Sequence, residues 1–520
     1  MKYLLLPLML MTGVCVAIPS VRAASSADRP VTDPKAAAKN AGHGPDSGSA
    51  EDRAAAAFRQ LNRIAALDDA AGGPQLNAVV VTNPDAPRQA AHLAATGVLR
   101  GRTVLVKDNI ETREFATTAG SLALRDNRTG RDAPLISRLR AAGGVVLGKT
   151  NLSEWANIRS TRSSSGWSAV GGQTKNPHAL DRSPCGSSSG SGAAIAAGLA
   201  WAAIGTETDG SITCPASVNG IVGFKPTVGM VSRTRVVPIS HSQDTPGPMA
   251  LSVADAALLL TAIAGSDPAD KATAPADAKR TDFTAGLAAA MLKGTRIGVL
   301  RKQVGSHERL TLAFEAALAD LRSAGAELVE INADFDNAMF DDEGTVLYFE
   351  LREDLGTYLR GLPGNPPIRS LADAIAFNKA HPEELRWFGQ ETFEKADKTT
   401  DRTTYEKARA NSLRLAGKDG IDQLLAANRV KLLIAPTESP AWVIDLVNGD
   451  HYTSVGAGSL AAIAGYPHLT VPLGAVDGLP VGLSFIGAAW DDKRVLEAGA
   501  AYERARTIIV PVPGLKRWGE

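Results

Sequence analysis

Hydrophobic side chains recur at two different spacings in the first half of the chain. Phe58, Leu61 and Ile64 follow one another every three residues, which predicts an amphipathic helix over residues 51–67. Short runs rich in β-branched residues come next and predict strands. These runs are LNAVVVT at 76–82 and RTVLVKDN at 102–109. The chain therefore begins with elements of both kinds.

The segment 132–148 predicts how these elements alternate. Asp132 suits a helix cap, Pro134 the first turn and Gly143 the exit, so residues 132–144 are predicted to form a helix. The apolar run 145–148 then predicts another strand. Strand–helix–strand alternation is typical of an α/β architecture with a buried, partly parallel sheet.

The second half of the chain continues this alternation with one interruption. A Ser/Gly-rich loop over 183–192 leads into a run of small apolar residues, 193–205, that we predict to be a helix. A further helix is predicted over 252–265. The segment from about 330 to 420 carries more aromatic and charged residues without strand rhythm, which predicts a helical insertion. Strand character returns at 430–437, 468–474 and 481–487. We expect one large α/β domain over 51–520, with a mixed central β-sheet covered by helices.

The N-terminus has the features of a targeting segment. Residues 1–23 combine a basic start, an apolar stretch and a small-x-small ending, which is typical of a secretory signal peptide. Residues 24–50 are rich in Ala, Ser, Asp, Pro and Gly, and predict a flexible leader. No later stretch is long and apolar enough to span a bilayer. We expect an exported protein, periplasmic or secreted, and we expect it to be a monomer.

Composition excludes some partners. The 520 residues include 55 basic and 55 acidic side chains and only 5% aromatics. Nucleic acid and anionic membranes both require a clustered positive excess, so neither is expected as a partner. Of three cysteines, Cys185 and Cys214 would remain after cleavage of the signal peptide. In an oxidising compartment they could form a disulfide, but the sequence leaves this open because it does not give the distance between them.

Two familiar motifs occur in contexts that argue against their usual chemistry. GGVVLGKT at 143–150 matches a phosphate-binding loop, but its variable positions are apolar strand residues rather than a turn. GSSSG at 186–190 matches the nucleophile elbow of Ser-His-Asp hydrolases, but Pro184 precedes it where a buried strand is required. Neither context supports the usual interpretation. A Gly-rich loop before a small-residue helix instead indicates backbone amides that approach a charge.

A set of motifs in a specific order resembles the amidase signature family, over about 77–503. The motifs are LVKDNIETREFATTAGS, GGVVLGKTNLSEW, GSSSGSGAAIAAGLA, GTETDGSI, GIVGFKPTVGMVS and AAIAGYPHLTVPLG. Within the family, the chain looks most similar to the exported bacterial peptide amidases. Three positions depart from the commonest pattern: Thr213 stands where many relatives have Arg, Asp209 where many have Gly, and Leu251 where Arg often precedes Ser-Val. The first departure disfavours substrates whose carboxylate would pair with that Arg.

The resemblance implies a catalytic set of three residues. It places the family's lysine at Lys107, its bridging serine, in a cis peptide, at Ser187, and its nucleophile at Ser211. The amides of Thr208, Asp209, Gly210 and Ser211 would form the oxyanion hole. Ordinary chemistry agrees with these roles. A buried lysine can act as a neutral base, a hydroxyl can both donate and accept a proton, and an Asp-Gly-Ser turn can aim amides at one oxygen.

The expected activity follows from this resemblance. A serine-dependent amidase would hydrolyse a carboxamide to an acid and ammonia through an acyl-enzyme, without metal or other cofactor. The expected substrate is the C-terminal amide of a peptide or another small amide. The alternatives are a lipid or aryl amidase of the same family, and a non-catalytic exported binding protein. None of the eight histidines lies in a metal-binding or triad motif.

Overall fold

The computed structural model describes residues 49–92, 97–453 and 455–520. The predictions of a signal peptide and of nearly all of the leader lie outside these residues. Ser49 and Ala50, assigned to the leader, belong instead to the first helix. Ser49 caps it by accepting a hydrogen bond from the amide of Asp52. Within the described ranges, no helix is both long and apolar enough to cross a membrane.

Eleven strands among the described residues form one sheet in the order β1-β3-β2-β6-β8-β7-β12-β13-β11-β9-β10. These strands are β1 (Val79–Thr82), β2 (Thr103–Lys107), β3 (Val145–Thr150), β6 (Ala202–Glu207), β7 (Val222–Lys225), β8 (Thr245–Ala250), β9 (Arg296–Leu300), β10 (Glu327–Ile331), β11 (Leu432–Pro436), β12 (His468–Val476) and β13 (Leu479–Ile486). A small separate pair consists of β4 (Trp167–Ser168) and β5 (Gly172–Gln173). Strand β2 runs parallel to β3 and β6, whereas β8 is antiparallel to β6. The predicted mixed sheet is therefore confirmed.

Helices cover the sheet and fill the segment between β10 and β11. The helices are α1 (Ala50–Ile64), α2 (Ala86–His92), α3 (Pro134–Ala141), α4 (Ser189–Ala196), α5 (Thr213–Val218), α6 (Val253–Ile263), α7 (Ala276–Lys279), α8 (Glu308–Ser323), α9 (Ala338–Arg360), α10 (Leu371–Ala380), α11 (Glu391–Lys398), α12 (Arg402–Leu413), α13 (Gln423–Ala427), α14 (Gly458–Ala464) and α15 (Asp492–Ala505). Helices α9 to α12 lie in the segment predicted to be a helical insertion. That this insertion is a separate unit with limits near residues 330 and 420 stays a prediction.

The core lies on both faces of the sheet because alternate residues of each strand point to opposite sides. In β2, Val104 and Val106 pack in one apolar cluster with α3 and α6. Leu105 between them packs in the other cluster, with α1, α2 and α4. A strand buried on both faces is hydrophobic at consecutive positions, as expected for the parallel part of a sheet.

Two local predictions were wrong. The run 193–205 is not one helix: α4 begins earlier, at Ser189, and ends at Ala196, and residues 202–207 form β6. A continuous run of small apolar residues fits a buried helix and a buried strand equally well. Asp132 does not cap α3, which has Ala133 at its N-cap without a side-chain hydrogen bond. The Asp132 carboxylate instead accepts from the amide of Arg113 and the guanidinium of Arg140.

Candidate active site

Two parallel neighbouring strands end at the candidate site. β2 ends at Lys107 and β6 ends at Glu207, and Val106 lies opposite Ile204 in their shared ladder. The carboxyl ends of parallel strands meet at the same edge of a sheet, so the Lys107 side chain reaches β6. Its Nζ donates to Thr206 Oγ1 at 2.8 Å and to the Thr206 carbonyl at 3.2 Å. Asn109 Nδ2 donates to the same hydroxyl at 2.9 Å.

The Ser/Gly-rich loop brings Ser187 to the same amine. Lys107 Nζ donates to Ser187 Oγ at 2.7 Å, and both side chains are fully buried. The Gly186–Ser187 peptide bond is cis, as the family resemblance implied. Ser188 links this loop to the end of β6 and to the segment of Ser211. Its hydroxyl donates to the Thr206 carbonyl and accepts from the Thr206 amide. Its own amide donates to the Ser211 carbonyl at 3.1 Å. The predicted pairing of Lys107 with Ser187 is thus present.

Helix α4 can start directly after this loop because its residues are small. A Cβ at Gly190 would collide with the Ala78 carbonyl oxygen and would lie 2.6 Å from that of Asn151. Either approach is shorter than real Cβ contacts allow, so only glycine fits. The SSSGSG sequence therefore lets the helix pack against β1 and β3 while Ser187 stays beside Lys107.

Burial determines the charge of Lys107. Removal from water lowers the pKa of its amine to about 7, because the charged form loses hydration. The negative charges of Asp244 and Glu207 act in the opposite direction and raise the pKa, but their effect is smaller. A substantial fraction of Lys107 is therefore neutral near pH ~7, and can accept a proton.

The segment 208–211 forms a turn that side chains hold at both ends. Thr208 Oγ1 donates to Asp244 Oδ1 at 2.6 Å. Glu207 Oε2 accepts from the amides of Ile212 and Thr213 at 2.7 and 2.9 Å, where α5 begins. Gly210 has φ +76°, a left-handed conformation that glycine adopts without strain. The turn predicted around Ser211 is confirmed.

The amides inside this turn are available to a ligand. Within the described residues, the N–H groups of Asp209, Gly210 and Ser211 donate no hydrogen bond, whereas the next two amides both donate to Glu207. Ser211 itself is nearly buried. Its hydroxyl forms no hydrogen bond with Ser187 in the described part of the chain, so its main chain alone connects it to the Lys107–Ser187 pair.

A disulfide joins the two loops of the site. Cys185 and Cys214 are bonded, with their Cα atoms 6.0 Å apart, which resolves the question that the sequence left open. Cys185 lies two residues before Ser187 and Cys214 three residues after Ser211. The covalent link therefore holds the segment of the bridging serine against the segment of the candidate nucleophile.

A cavity of about 130 Å³ opens beside the turn. Asp209 and Gly210 form part of its wall, Thr213 and Cys214 continue it, and residues 455–460 face them. The cavity is large enough to receive a side chain or a short chain of atoms. Its position against the free amides of the turn makes it the candidate substrate pocket.

One group of possible metal ligands lies elsewhere in the described ranges. His241, Glu350 and Asp354 each offer an atom within 4.8 Å of the others. Their atoms are already used in hydrogen bonds: His241 Nδ1 pairs with Asp354 at 2.9 Å, and Glu350 accepts from Tyr405 at 2.7 Å. The group joins the loop 239–244 to helices α9 and α12, and we assign it a structural role.

Several residues of the site had no individual prediction. Thr206 and Glu207 lie in the quoted GTETDGSI motif, so their position next to the turn was a usable signal. Asp244, which holds Thr208 and faces Lys107, and the pocket residue Glu438 lie in no motif. Chain folding alone brings these carboxylates to the site.

Comparison with known proteins agrees with the geometry. The sequence model of the family described as Amidase matches residues 61–496. A probable amidase of Arabidopsis thaliana is 38% identical over 457 residues, 84% of this chain and 85% of that protein. A glutamyl-tRNA(Gln) amidotransferase chain from a Synechococcus strain is 34% identical over 463 residues, 86% of this chain and 87% of that protein.

A solved structure is more similar still. The native peptide amidase from Stenotrophomonas maltophilia has 48% sequence identity and a TM-score of 0.84, covering 90% of this chain and 98% of that one. The family match and the amidases among the similar proteins show a hydrolase that cleaves C–N bonds. The chain belongs to the amidase signature family and is an amidase.

Proposed function

We propose that this amidase hydrolyses a primary carboxamide to a carboxylic acid and ammonia through an acyl-enzyme on Ser211. The observation that carries the proposal is the buried contact of 2.7 Å between Lys107 Nζ and Ser187 Oγ, beside the turn that contains Ser211. A base with a pKa of about 7, a hydroxyl relay and free turn amides are the components that acyl transfer needs.

The reaction follows from these groups in order. Neutral Lys107 accepts the Ser187 proton while Ser187 accepts the proton of Ser211, whose oxygen attacks the amide carbon. The turn amides of Thr208, Asp209, Gly210 and Ser211 stabilise the oxyanion. The proton returns through Ser187 to the nitrogen as the C–N bond breaks and ammonia leaves. Water then gives a proton to the same relay and attacks the acyl carbon; as the bond from that carbon to the Ser211 oxygen breaks, the relay returns the proton to Ser211 and the acid leaves.

The C-terminal amide of a peptide is the substrate that we propose. The support is the 48% identity to a peptide amidase. The side chain at position 213 is a threonine, so it offers no cation to a substrate carboxylate. Lipid and aryl amides are the alternatives within the family, and a binding protein without activity is the alternative outside it. An exported protein does not meet aminoacyl-tRNA, which disfavours the activity named for the 34% identical relative.

Export and the monomeric state are part of the same proposal. Residues 1–23 have the pattern of a signal peptide, so the mature protein is expected in the periplasm or medium. Cell fractionation and N-terminal sequencing of the mature chain test this, and an uncleaved cytoplasmic chain contradicts it. Light scattering of the purified protein tests the monomer.

An ammonia-release assay tests the activity. We expect purified protein to release ammonia from peptide amides faster than from long-chain fatty amides or aryl amides, and to leave internal peptide bonds intact. Ser211→Ala should abolish release while the protein stays folded. Ser189→Ala is the matched control, because this serine begins α4 two residues after Ser187 but contacts Ser153 rather than Lys107. An acyl adduct found by mass spectrometry on a residue other than Ser211 contradicts the mechanism, and faster turnover of an oleoyl-type amide contradicts the substrate.

A further inference from the structure

The cavity beside the turn has acidic groups on two sides. Asp209 lies on the turn itself, and Glu438 follows the end of β11. Glu438 Oε1 accepts from the amide and hydroxyl of Ser439 at 2.7 and 3.0 Å. Its second oxygen accepts no hydrogen bond from the described residues. That oxygen is therefore available to a donor in the cavity.

Asp209 lies beside Ser459 and Glu343. Burial raises the pKa of Asp209 to about 6. Burial also raises the pKa of Glu343, which lies far above its usual range because the Asp209 charge acts in the same direction. The Asp209 charge therefore disfavours ionisation of Glu343.

Part of the cavity wall is aromatic. Phe335 and Phe340 reach it from the segment that begins the predicted insertion. The side chain of Phe340 is 43% exposed, so a ligand in the cavity can contact it. Aromatic faces attract ammonium and guanidinium groups and also pack against the methylenes that carry them.

No described residue that lines the cavity is a lysine or an arginine. Lys225 influences Asp209 but does not line the cavity. It lies behind the wall, facing Glu207 and Asp492 as well, and its amine donates to the Pro226 carbonyl. A cation that enters the cavity would therefore meet two carboxylates and two aromatic rings, without a fixed positive charge in the wall.

We infer that this cavity binds a cationic side chain, that of a lysine or arginine residue whose own carboxamide is the group hydrolysed. The inference rests on the proposed function. The guanidinium or ammonium group would bond to Glu438 and Asp209, and its aliphatic stem would lie against Phe335 and Phe340. The same carboxylates would repel anionic side chains, and would also repel the carboxylate product and favour its release.

The preference should depend on pH in a definite direction. Burial raises the pKa of Glu438 to about 7, and the neighbouring Asp450 charge acts in the same direction. Glu207 and Glu343 face Asp209 from one side and Lys225 from another. Both wall carboxyls are thus mostly protonated below pH ~6 and ionised above pH ~7, so the preference for a cation should grow as the pH rises through this range.

A matched substrate series tests the inference. N-acetylated amides of arginine, norleucine and glutamate differ mainly in the charge of the side chain. At about pH 8 we expect kcat/KM for the arginine amide to exceed that for the norleucine amide about tenfold, from charged hydrogen bonds in a partly open site, and the glutamate amide to be slowest. The ratio should approach one near pH ~5.5. Turnover of the norleucine amide separately verifies the amidase activity, so failure of the inference is distinct from failure of the proposed function.

Variants locate the effect in the cavity. Glu438→Gln should lower the arginine-to-norleucine ratio, with Asp209 left as the one carboxylate for the cation, and Phe340→Leu should lower it by a smaller factor. Glu308→Gln is the control, because it removes an exposed carboxylate at the start of α8. Equal turnover of the arginine and norleucine amides by the native enzyme overturns the inference. A ratio that Glu438→Gln leaves unchanged overturns it as well.

Discussion

Two lysines at the ends of adjacent parallel strands show how the surroundings of a side chain decide its chemistry. Lys107 ends β2 and Lys149 is the residue before the last in β3, and both side chains are fully buried. Lys149 Nζ lies 2.9 Å from Asp108 Oδ1 in a buried ion pair. Among the described residues, Lys107 contacts two hydroxyls and a carbonyl but no carboxylate. The two lysines therefore differ in the groups that they contact, and this difference makes Lys107 a candidate base and Lys149 a structural residue.

The physical reason is the cost of burying charge. A buried cation is stable when a carboxylate compensates it, as Asp108 does for Lys149. Hydroxyls and carbonyls compensate it less, so Lys107 has a lowered pKa and can exist as the neutral amine. The predictions below test this contrast, beginning with the largest effect.

Replacement of Lys107 should reduce amide hydrolysis most. We expect Lys107→Ala to lower kcat on a peptide amide by a factor within ~10²–10⁴, the usual contribution of general acid–base catalysis. The loss should be smaller for the matched ester, because an alkoxide can leave with less protonation than an amine. Steady-state kinetics on the amide and ester pair measure both. Equal losses for the two substrates, in a protein that is still folded, would show that Lys107 has a structural role only.

Replacement of Lys149 should affect stability instead. Lys149→Met leaves Asp108 as an uncompensated buried carboxylate, which typically costs about 3–5 kcal/mol of unfolding free energy. Chemical denaturation measures this loss. The double variant Lys149→Met with Asp108→Asn is the control, and should recover part of it because the unpaired charge is gone. Stability equal to that of the native protein in the single variant would contradict a structural ion pair here.

The disulfide should stabilise the candidate active site around Lys107. The bond between Cys185 and Cys214 closes a loop with a sequence separation of 29 and joins the Ser187 and Ser211 segments. We expect the Cys185→Ser, Cys214→Ser double variant to lose about 2–4 kcal/mol of unfolding free energy. Its kcat should fall as well, since the two serines lose a covalent link. Denaturation and kinetics of the oxidised, reduced and variant proteins provide the test, and full activity after verified reduction would exclude a positioning role.

The sequence predicted the two lysine-bearing strands well but could not distinguish the lysines by physical pattern. Both follow apolar runs, and Lys149 even lies in a phosphate-loop motif that the strand context excluded. The order of motifs singled out Lys107, Ser187 and Ser211. The partners that distinguish the lysines are less visible: Asp108 adjoins Lys107 in sequence yet pairs with Lys149, and Asp244 reaches Thr208 through folding.

Other parts of the chain were predictable to different degrees. Strands such as β11 and β13 coincide with the apolar runs that predicted them, since a buried sheet requires apolar side chains. The division of residues 193–205 between α4 and β6 was missed, because small apolar residues fit both structures. The walls of the pocket could not be predicted, since Glu438 and Phe340 are far apart in sequence and meet only in the folded protein.

The pH dependence of hydrolysis is the smallest effect and the most direct measure of the contrast. Only neutral Lys107 can accept the Ser187 proton, so the active fraction should rise with pH through about 7, where burial places its pKa. Below that pH, kcat/KM for an uncharged amide should fall about tenfold per unit, since each unit reduces the neutral fraction tenfold. A neutral substrate such as N-acetylnorleucine amide keeps the ionisation of Asp209 and Glu438 from dominating the profile.

Two variants test whether this acid limb of the pH profile reports Lys107. Asp244→Asn should move the acid limb to lower pH, because the Asp244 charge raises the Lys107 pKa. Lys149→Met should leave the limb in place if the protein folds, because Lys149 has its own counter-ion in Asp108. An acid limb near the ordinary lysine value of about 10.4 would contradict the proposed role of Lys107 as a neutral base.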